Sequence, residues 1–248
     1  MPLPTENARL KAGCRTAFRR FYPFALVPMF EKLTVQELFP TPVWICDLAE
    51  AERHALNRQL LAEICALIEP RPRIEIGATW QTDPILHRLK EFSRFTTLVS
   101  AAARGALEFL GLGSPAFEIT GCWGNINPRG GMNSSHTHPN NYLSGVYYVA
   151  IPEGAGQIVF TDPRPQAGVM IPPTARFNKF IGNKITLEAK EGRMLLFPGW
   201  LLHSVPVNRS ETERVSISFN IMFSDYGQSM SKPLWSSGTA PIRAGSDG

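Results

Sequence analysis

The chain has 248 residues, which suits one large domain or one domain with extensions. Its 44% hydrophobic and 19% charged residues allow an ordinary soluble core and exclude a chain disordered throughout. The formal net charge of +4 sits in residues 1–33, with six basic and two acidic side chains, while the other 215 residues carry 19 of each sign. A folded part without a basic stripe argues against a nucleic-acid groove.

Residues 1–33 read as an N-terminal extension, disordered or lying ahead of a natural start at Met29. The segment FYPFALVPMF is broken by Pro23 and Pro28. It falls short of the ~18–20 apolar residues that span a bilayer, and it lacks a secretory cleavage pattern. The Arg-rich stretch before it has some features of an organellar transit peptide. Cys14, Cys46, Cys65 and Cys122 are far apart, with no CxxC pair. They are expected to be free thiols, Cys65 and Cys122 buried, in a cytoplasmic protein.

LFPTPVW at 38–44 reads as an extended piece stiffened by Pro40 and Pro42. Asp47 is expected to open a helix with Glu50 in capping-box position, and Leu56, Leu60, Ile64 and Leu67 mark its buried face. A second helical region is predicted from Asp83-Pro84 to about Leu112, with Ile85, Leu89, Phe92, Leu98 and Ala102 on the apolar face. After residue 115 the period becomes that of strands, predicted at 116–127, 142–151, 156–161, 185–189, 193–198 and 213–223. Helices followed by many strands predict an α+β order in which a jelly roll or barrel carries the helices on its outside. The expected organisation is an extension at 1–33, a single domain at 34–226 (helical support 34–114, jelly-roll core 115–226) and a flexible tail at 227–248.

Three of the five histidines stand where a metal site would need them. His136 and His138 are two apart at the start of HTHPNNYLSGVYYV, so on a strand both imidazoles leave the same face. His203 follows a hydrophobic strand in LLFPGWLLHSVPV. Three imidazoles suit iron, zinc, copper or nickel and leave positions open for substrate or O₂. His54 and His87 read as ordinary helix residues. In ERVSISFNIMF, Arg214, Ser216, Ser218 and Asn220 share one face and Val215, Ile217, Phe219 and Ile221 the other. An arginine inside a barrel needs an anion: either a ligand carboxylate, with Ser216 beside it, or a glutamate in a structural salt bridge. Trp123, Asn125 and Asn127 form another same-face set, which looks into the pocket or, for the asparagines, forms a turn before Pro128.

In order, WGNI, HTHPNNYLSGVYYV, FTDPR, LLFPGWLLHSVPVN and ERVSISFN resemble the Fe(II)/2-oxoglutarate-dependent oxygenases of bacteria and their phages. The resemblance runs from about Leu38 to Phe223 and includes WQTDPILH. It implies a double-stranded β-helix, a cupin-like jelly roll, holding Fe(II) and using 2-oxoglutarate as cosubstrate with O₂ and a small-molecule substrate. It implies His136 and His203 as metal ligands, Arg214 and Ser216 as the anchor of the cosubstrate's far carboxylate, and Asn125 as a further contact. His138 stands where the wider family has a carboxylate. The site is then three-histidine, or draws a carboxylate from elsewhere, with Asp162 the nearest candidate, or leaves a position open that a halide can enter. The implied reaction couples oxidative decarboxylation of 2-oxoglutarate to substrate oxidation, most simply hydroxylation.

Two other classes fit parts of the sequence. A three-histidine cupin metalloenzyme without 2-oxoglutarate explains the histidines but gives Arg214 and Ser216 no role. A non-catalytic jelly-roll binding protein tolerates the absence of metal. Pro163 to Lys184 is expected to form a lid or specificity loop, where Arg164, Arg176 and Lys179 offer charge to an acidic substrate.

Overall fold

The computed structural model describes residues 32, 34–113 and 115–225. The expected extension at 1–33, apart from Lys32, and the tail at 227–248 lie outside the described residues, as does Cys14. The chain divides into two units, Met1–Pro40 and Thr41–Gly248. Of the first, residues 34–40 are exposed and form neither helix nor strand.

The second unit is built on β1 (Trp44–Asp47), α1 (Glu50–Ile68), β2 (Trp80–Gln81) and α2 (Ser93–Phe109). Then come β3 (Phe117–Asn127), β4 (Asn133–His136), β5 (Leu143–Ala150), β6 (Ile158–Thr161), β7 (Lys184–Leu187), β8 (Arg193–Pro198), β9 (His203–Val205) and β10 (Arg214–Phe223). One sheet runs β1-β8-β5-β10-β3-β2 and the other β4-β9-β6-β7. Every pairing within them is antiparallel. From β3 to β10 the chain alternates between the two sheets except at β6 and β7, which pair with each other in the smaller one, and this is the winding of a double-stranded β-helix.

Side-chain alternation divides the core. Val146, Tyr148, Leu195 and Phe197 pack with Ile158, Phe160 and Leu201 of the smaller sheet and its loops. Tyr147, Val149, Met194, Leu196, Val215, Ile217 and Phe219 point the other way, against the helices. Burying each such side chain stabilises the fold by about 1.5–3 kcal/mol. α1 offers Leu56, Leu60, Ile64 and Ile68 to this layer. It lies so close that a Cβ on Gly124 would come within 2.9 Å of Ile64. Asn57 enters the same interface, accepting from the Tyr147 hydroxyl at 2.6 Å and donating to the Val149 carbonyl at 2.7 Å.

The helices differ in detail from the sequence expectation. Asp47 does not open α1, because it ends β1 opposite Arg193, whose guanidinium takes both its oxygens at 2.7 and 2.9 Å. The helix begins at Glu50 without a side-chain cap, and Leu67 is exposed where Ile68 is buried. The second region opens as two short 3₁₀ turns, Leu86–Arg88 and Lys90–Phe92, because Leu89 between them is extended. Its buried stripe is Phe95, Val99, Ala103, Ala106 and Leu107; Leu98 and Ala102 lie half-buried beside it, and Ile85 is exposed.

The longer strands fall within a few residues of their predicted places. β4 and β9 were not anticipated as strands: NSSH and HSV are too short for alternation to show. Cys122 is buried, Cys65 half-buried and Cys46 exposed, all as free thiols. Among the described residues no helix is long and apolar enough to cross a membrane.

Candidate metal and cosubstrate site

The antiparallel pairing of β4 with β9 sets His136 directly opposite His203. Residues 67 apart in sequence thus bring their rings to 4.4 Å between centroids. His138 does not share a strand with His136, since β4 ends at His136. It converges from the following loop, with its ring 5.0 Å from His136 and 5.2 Å from His203. A turn at Gly199 holds that loop: the His138 amide donates to the Gly199 carbonyl at 2.8 Å. A Cβ on Gly199 would lie 2.3 Å from the Asn141 carbonyl oxygen, so the approach requires glycine.

One ligand atom from each of the three histidines lies within 4.8 Å of the others. Nδ1 of His136 lies 2.6 Å from the Ser134 carbonyl and Nδ1 of His203 lies 2.8 Å from the Leu201 carbonyl. A carbonyl only accepts, so these nitrogens carry the protons and Nε2 of each ring keeps its lone pair for an ion. His203 is pushed down to about 4 by burial and by His136, against the pull of its Leu201 hydrogen bond. His138 is likewise pushed down to about 4, by burial and then by His203 and His136. Neutral imidazoles are the form that binds metal. Phe197 and Phe160 back His203, and Trp123 lies 5.9 Å from His138.

Arg214 opens β10 and is 1% exposed. Nη1 donates to Ser216 Oγ at 3.1 Å and to Asn127 Oδ1 at 3.3 Å, and the guanidinium lies 5.3 Å over the Tyr148 ring. Among the described residues no carboxylate pairs with it, and its Nε has no partner. The structural salt bridge is therefore not formed; the adjacent Glu213 pairs with Arg71 instead. Burial lowers the pKa of Arg214 from its ordinary value, though a guanidinium stays protonated. The Tyr148 hydroxyl is also buried without a partner, and burial pushes it up to about 12 while Arg214 opposes the shift.

Histidines and guanidinium line one cleft, together with Ser216, Ser218, Asn125 and Trp123. Asn125 is buried, accepting from Gln81 Nε2 at 2.7 Å and donating to Ser218 Oγ at 3.0 Å. Both expected asparagines lie within β3 rather than in a turn. Asp162 does not join the histidine cluster; both its carboxylate oxygens are taken by Arg164, at 3.0 and 2.7 Å. That pairing also occupies a cation expected to meet an acidic substrate, while Lys179 lies over the Phe180 ring. His54 is exposed beside Glu50, and His87 sits in a 3₁₀ turn away from the cleft. Tyr148, Gln81 and Asn133 were not singled out from the sequence. Alternation in LSGVYYVA would have turned Tyr148 inward, but only the pairing of β5 with β10 sets it under Arg214.

The donor set fits the groups that the resemblance implies. Three convergent imidazole lone pairs suit Fe(II), and a buried cation with an unmet N–H beside an unmet hydroxyl suits a carboxylate. The winding and the position of the histidines define a double-stranded β-helix metalloprotein. Residues 121–220 match the family model described as "Putative 2OG-Fe(II) oxygenase". The match covers 100 of the 248 residues, and the three histidines and Arg214 all lie inside it.

Solved structures share the fold at low identity. The non-heme alpha ketoglutarate dependent epimerase SnoN from nogalamycin biosynthesis is 14% identical, with a TM-score of 0.56 over 82% of this chain and 88% of that one. HygX from Streptomyces hygroscopicus, solved with nickel and 2-oxoglutarate bound, is 12% identical, with a TM-score of 0.53 over 74% and 83%. A Pseudomonas putida prolyl-4-hydroxylase is 15% identical, with a TM-score of 0.51 over 74% and 93%. No curated protein matches the sequence.

Proposed function

We propose that the chain is a hydroxylase of a small molecule in which His136, His138 and His203 hold Fe(II) and Arg214 with Ser216 anchors the far carboxylate of 2-oxoglutarate. The observation that carries this reading is Arg214 itself. It is a buried guanidinium with no carboxylate partner among the described residues, in the same cleft as three convergent histidines. Neutral partners offset the burial of this charge, and a visiting anion would pair it.

When bound, iron and 2-oxoglutarate supply the oxidising chemistry with O₂. The chain's share is geometry and electrostatics. The Ser134 and Leu201 carbonyls fix two imidazole tautomers, and Phe160 and Phe197 close the apolar side of His203. Arg214 and Ser216 present donors to a carboxylate, with the Tyr148 hydroxyl free to add another. Asn125, tied to Gln81 and Ser218, is proposed as a wall of the cosubstrate pocket. Trp123 next to His138 borders the space left for substrate. His138 in place of a carboxylate leaves the ion with one more positive charge than the usual donor set.

The test is an anaerobic titration of Fe(II)-loaded protein with 2-oxoglutarate, followed by the visible charge-transfer band of the chelate. The band should appear and be weakened in Arg214→Ala. Iron binding without a band would favour a three-histidine cupin that does not use 2-oxoglutarate. Failure to bind any metal would favour a non-catalytic binding protein.

A further inference from the structure

Asn127 ends β3 and is 0% exposed. It lies behind the cleft rather than in its wall. Its amide is committed on both sides. Arginine only donates, so the oxygen must face Arg214, whose Nη1 reaches it at 3.3 Å. The nitrogen then donates to Thr79 Oγ1 at 2.8 Å and to Asn133 Oδ1 at 3.0 Å. Thr79 in turn donates to the carbonyl of Met132, the residue before Asn133. Asn133 begins β4, and His136 ends it. The backbone of Asn127 is fixed as well, paired with Arg214 in the ladder and accepting from Asn208 Nδ2 at 2.9 Å.

One buried amide thus joins the guanidinium on the larger sheet to the strand of the smaller sheet that carries a metal-ligand histidine. We propose that Asn127 is a positioning residue, setting the distance and direction between Arg214 and the histidine strand so that one cosubstrate molecule can reach both. This rests on the function proposed above. With both amide hydrogens used inside the protein, Asn127 acts through Arg214 and does not itself hold the ligand. Sequence alternation placed it on the pocket face, but its role lies in what it ties together.

The test uses Asn127→Asp and Asn127→Ser in the full chain, with iron affinity and anaerobic 2-oxoglutarate affinity measured separately. Aspartate keeps an oxygen facing Arg214 and adds a charge that competes with the ligand carboxylate. Its 2-oxoglutarate Kd should rise about tenfold or more while its iron affinity stays within roughly twofold of wild type. Serine is too short to span Arg214 and Asn133, so its Kd should rise about fivefold. In uncoupled succinate release the KM for 2-oxoglutarate should rise, with kcat recovered at saturation. A residue that serves only the fold would lower the melting temperature of both variants and leave the Kd alone. Folded variants that bind 2-oxoglutarate within about twofold of wild type would overturn the role of Asn127 while leaving the function intact. Wild-type protein that binds no 2-oxoglutarate would overturn both. Should Asn127→Asp fail to fold, Asn127→Ser decides.

Discussion

Arg214→Met separates a guanidinium kept for a ligand from one kept for the fold. Burying an ion costs several kcal/mol even after relaxation. In the ligand-free protein Arg214 recovers part of that cost through Asn127 and Ser216, at about 1.5–3 kcal/mol for each hydrogen bond from a charged donor, where the geometry is good. The Tyr148 face adds about 2 kcal/mol. Gain and cost nearly cancel. Methionine removes both and leaves the Asn127 oxygen unmet, so unfolding free energy should change by less than about 2 kcal/mol. At about 2–4 °C per kcal/mol for a domain of this size, that is a shift of at most about 8 °C in either direction. Adding 2-oxoglutarate at a hundred times its wild-type Kd to metal-loaded protein should stabilise wild type by about 2.7 kcal/mol and the metal-loaded variant by much less. Urea unfolding and thermal melts, each with and without the cosubstrate, measure both quantities. A loss above about 4 kcal/mol in the ligand-free variant would show the guanidinium paired within the fold and refute the reasoning. So would an undiminished response to 2-oxoglutarate.

His136→Ala and His203→Ala should each abolish stoichiometric iron binding, read by elemental analysis; full occupancy in either variant removes that residue from the metal site. Gly199→Ala drives a Cβ into the Asn141 carbonyl oxygen and displaces the loop that carries His138. Iron affinity in chelator competition should fall about 10–100-fold, and unchanged affinity would mean that His138 does not depend on this turn. Asn57→Ala strips the Tyr147 hydroxyl and the Val149 carbonyl of their partner in the helix–sheet interface. It should cost about 2–4 kcal/mol in urea unfolding with iron stoichiometry unaltered, and a cost below about 1 kcal/mol would show that water replaces the amide.

The strand-rich half was legible because β3, β5, β8 and β10 are long enough for alternation to show. Arg214, Ser216 and the apolar partners Val215, Ile217 and Phe219 fell on the faces that alternation assigns them. The histidines were legible by type and spacing, but spacing alone does not say how His138 reaches His136. A shared strand face was expected, whereas a loop held by Gly199 brings His138 round. Helix starts were misread where a tertiary contact overrode a local signal. Asp47 has the chemistry of a cap, and Arg193, 146 residues away, takes its carboxylate. Nothing local in the sequence marks Asn127 as the partner of Arg214 or Tyr148 as its support, since both relations depend on strand register.

Register also explains how the two halves of the site meet. The smaller sheet pairs His136 with His203, and the larger one pairs Arg214 with Asn127 and Ser216 with Asn125. The winding lays these pairs across the same interior, so a ligand that reaches from the histidines to the guanidinium spans both sheets. None of the described residues lining that interior is acidic. A divalent ion and Arg214 therefore introduce positive charge that the protein does not balance, and in a low-dielectric cleft that imbalance is costly. A dianionic cosubstrate reduces it at both ends at once. Under the proposed function, whatever affinity the cosubstrate gains from the metal, the metal gains from the cosubstrate, because the coupling free energy is shared. The missing carboxylate at His138 then makes the metal centre more dependent on its ligand than a site with an acidic donor would be.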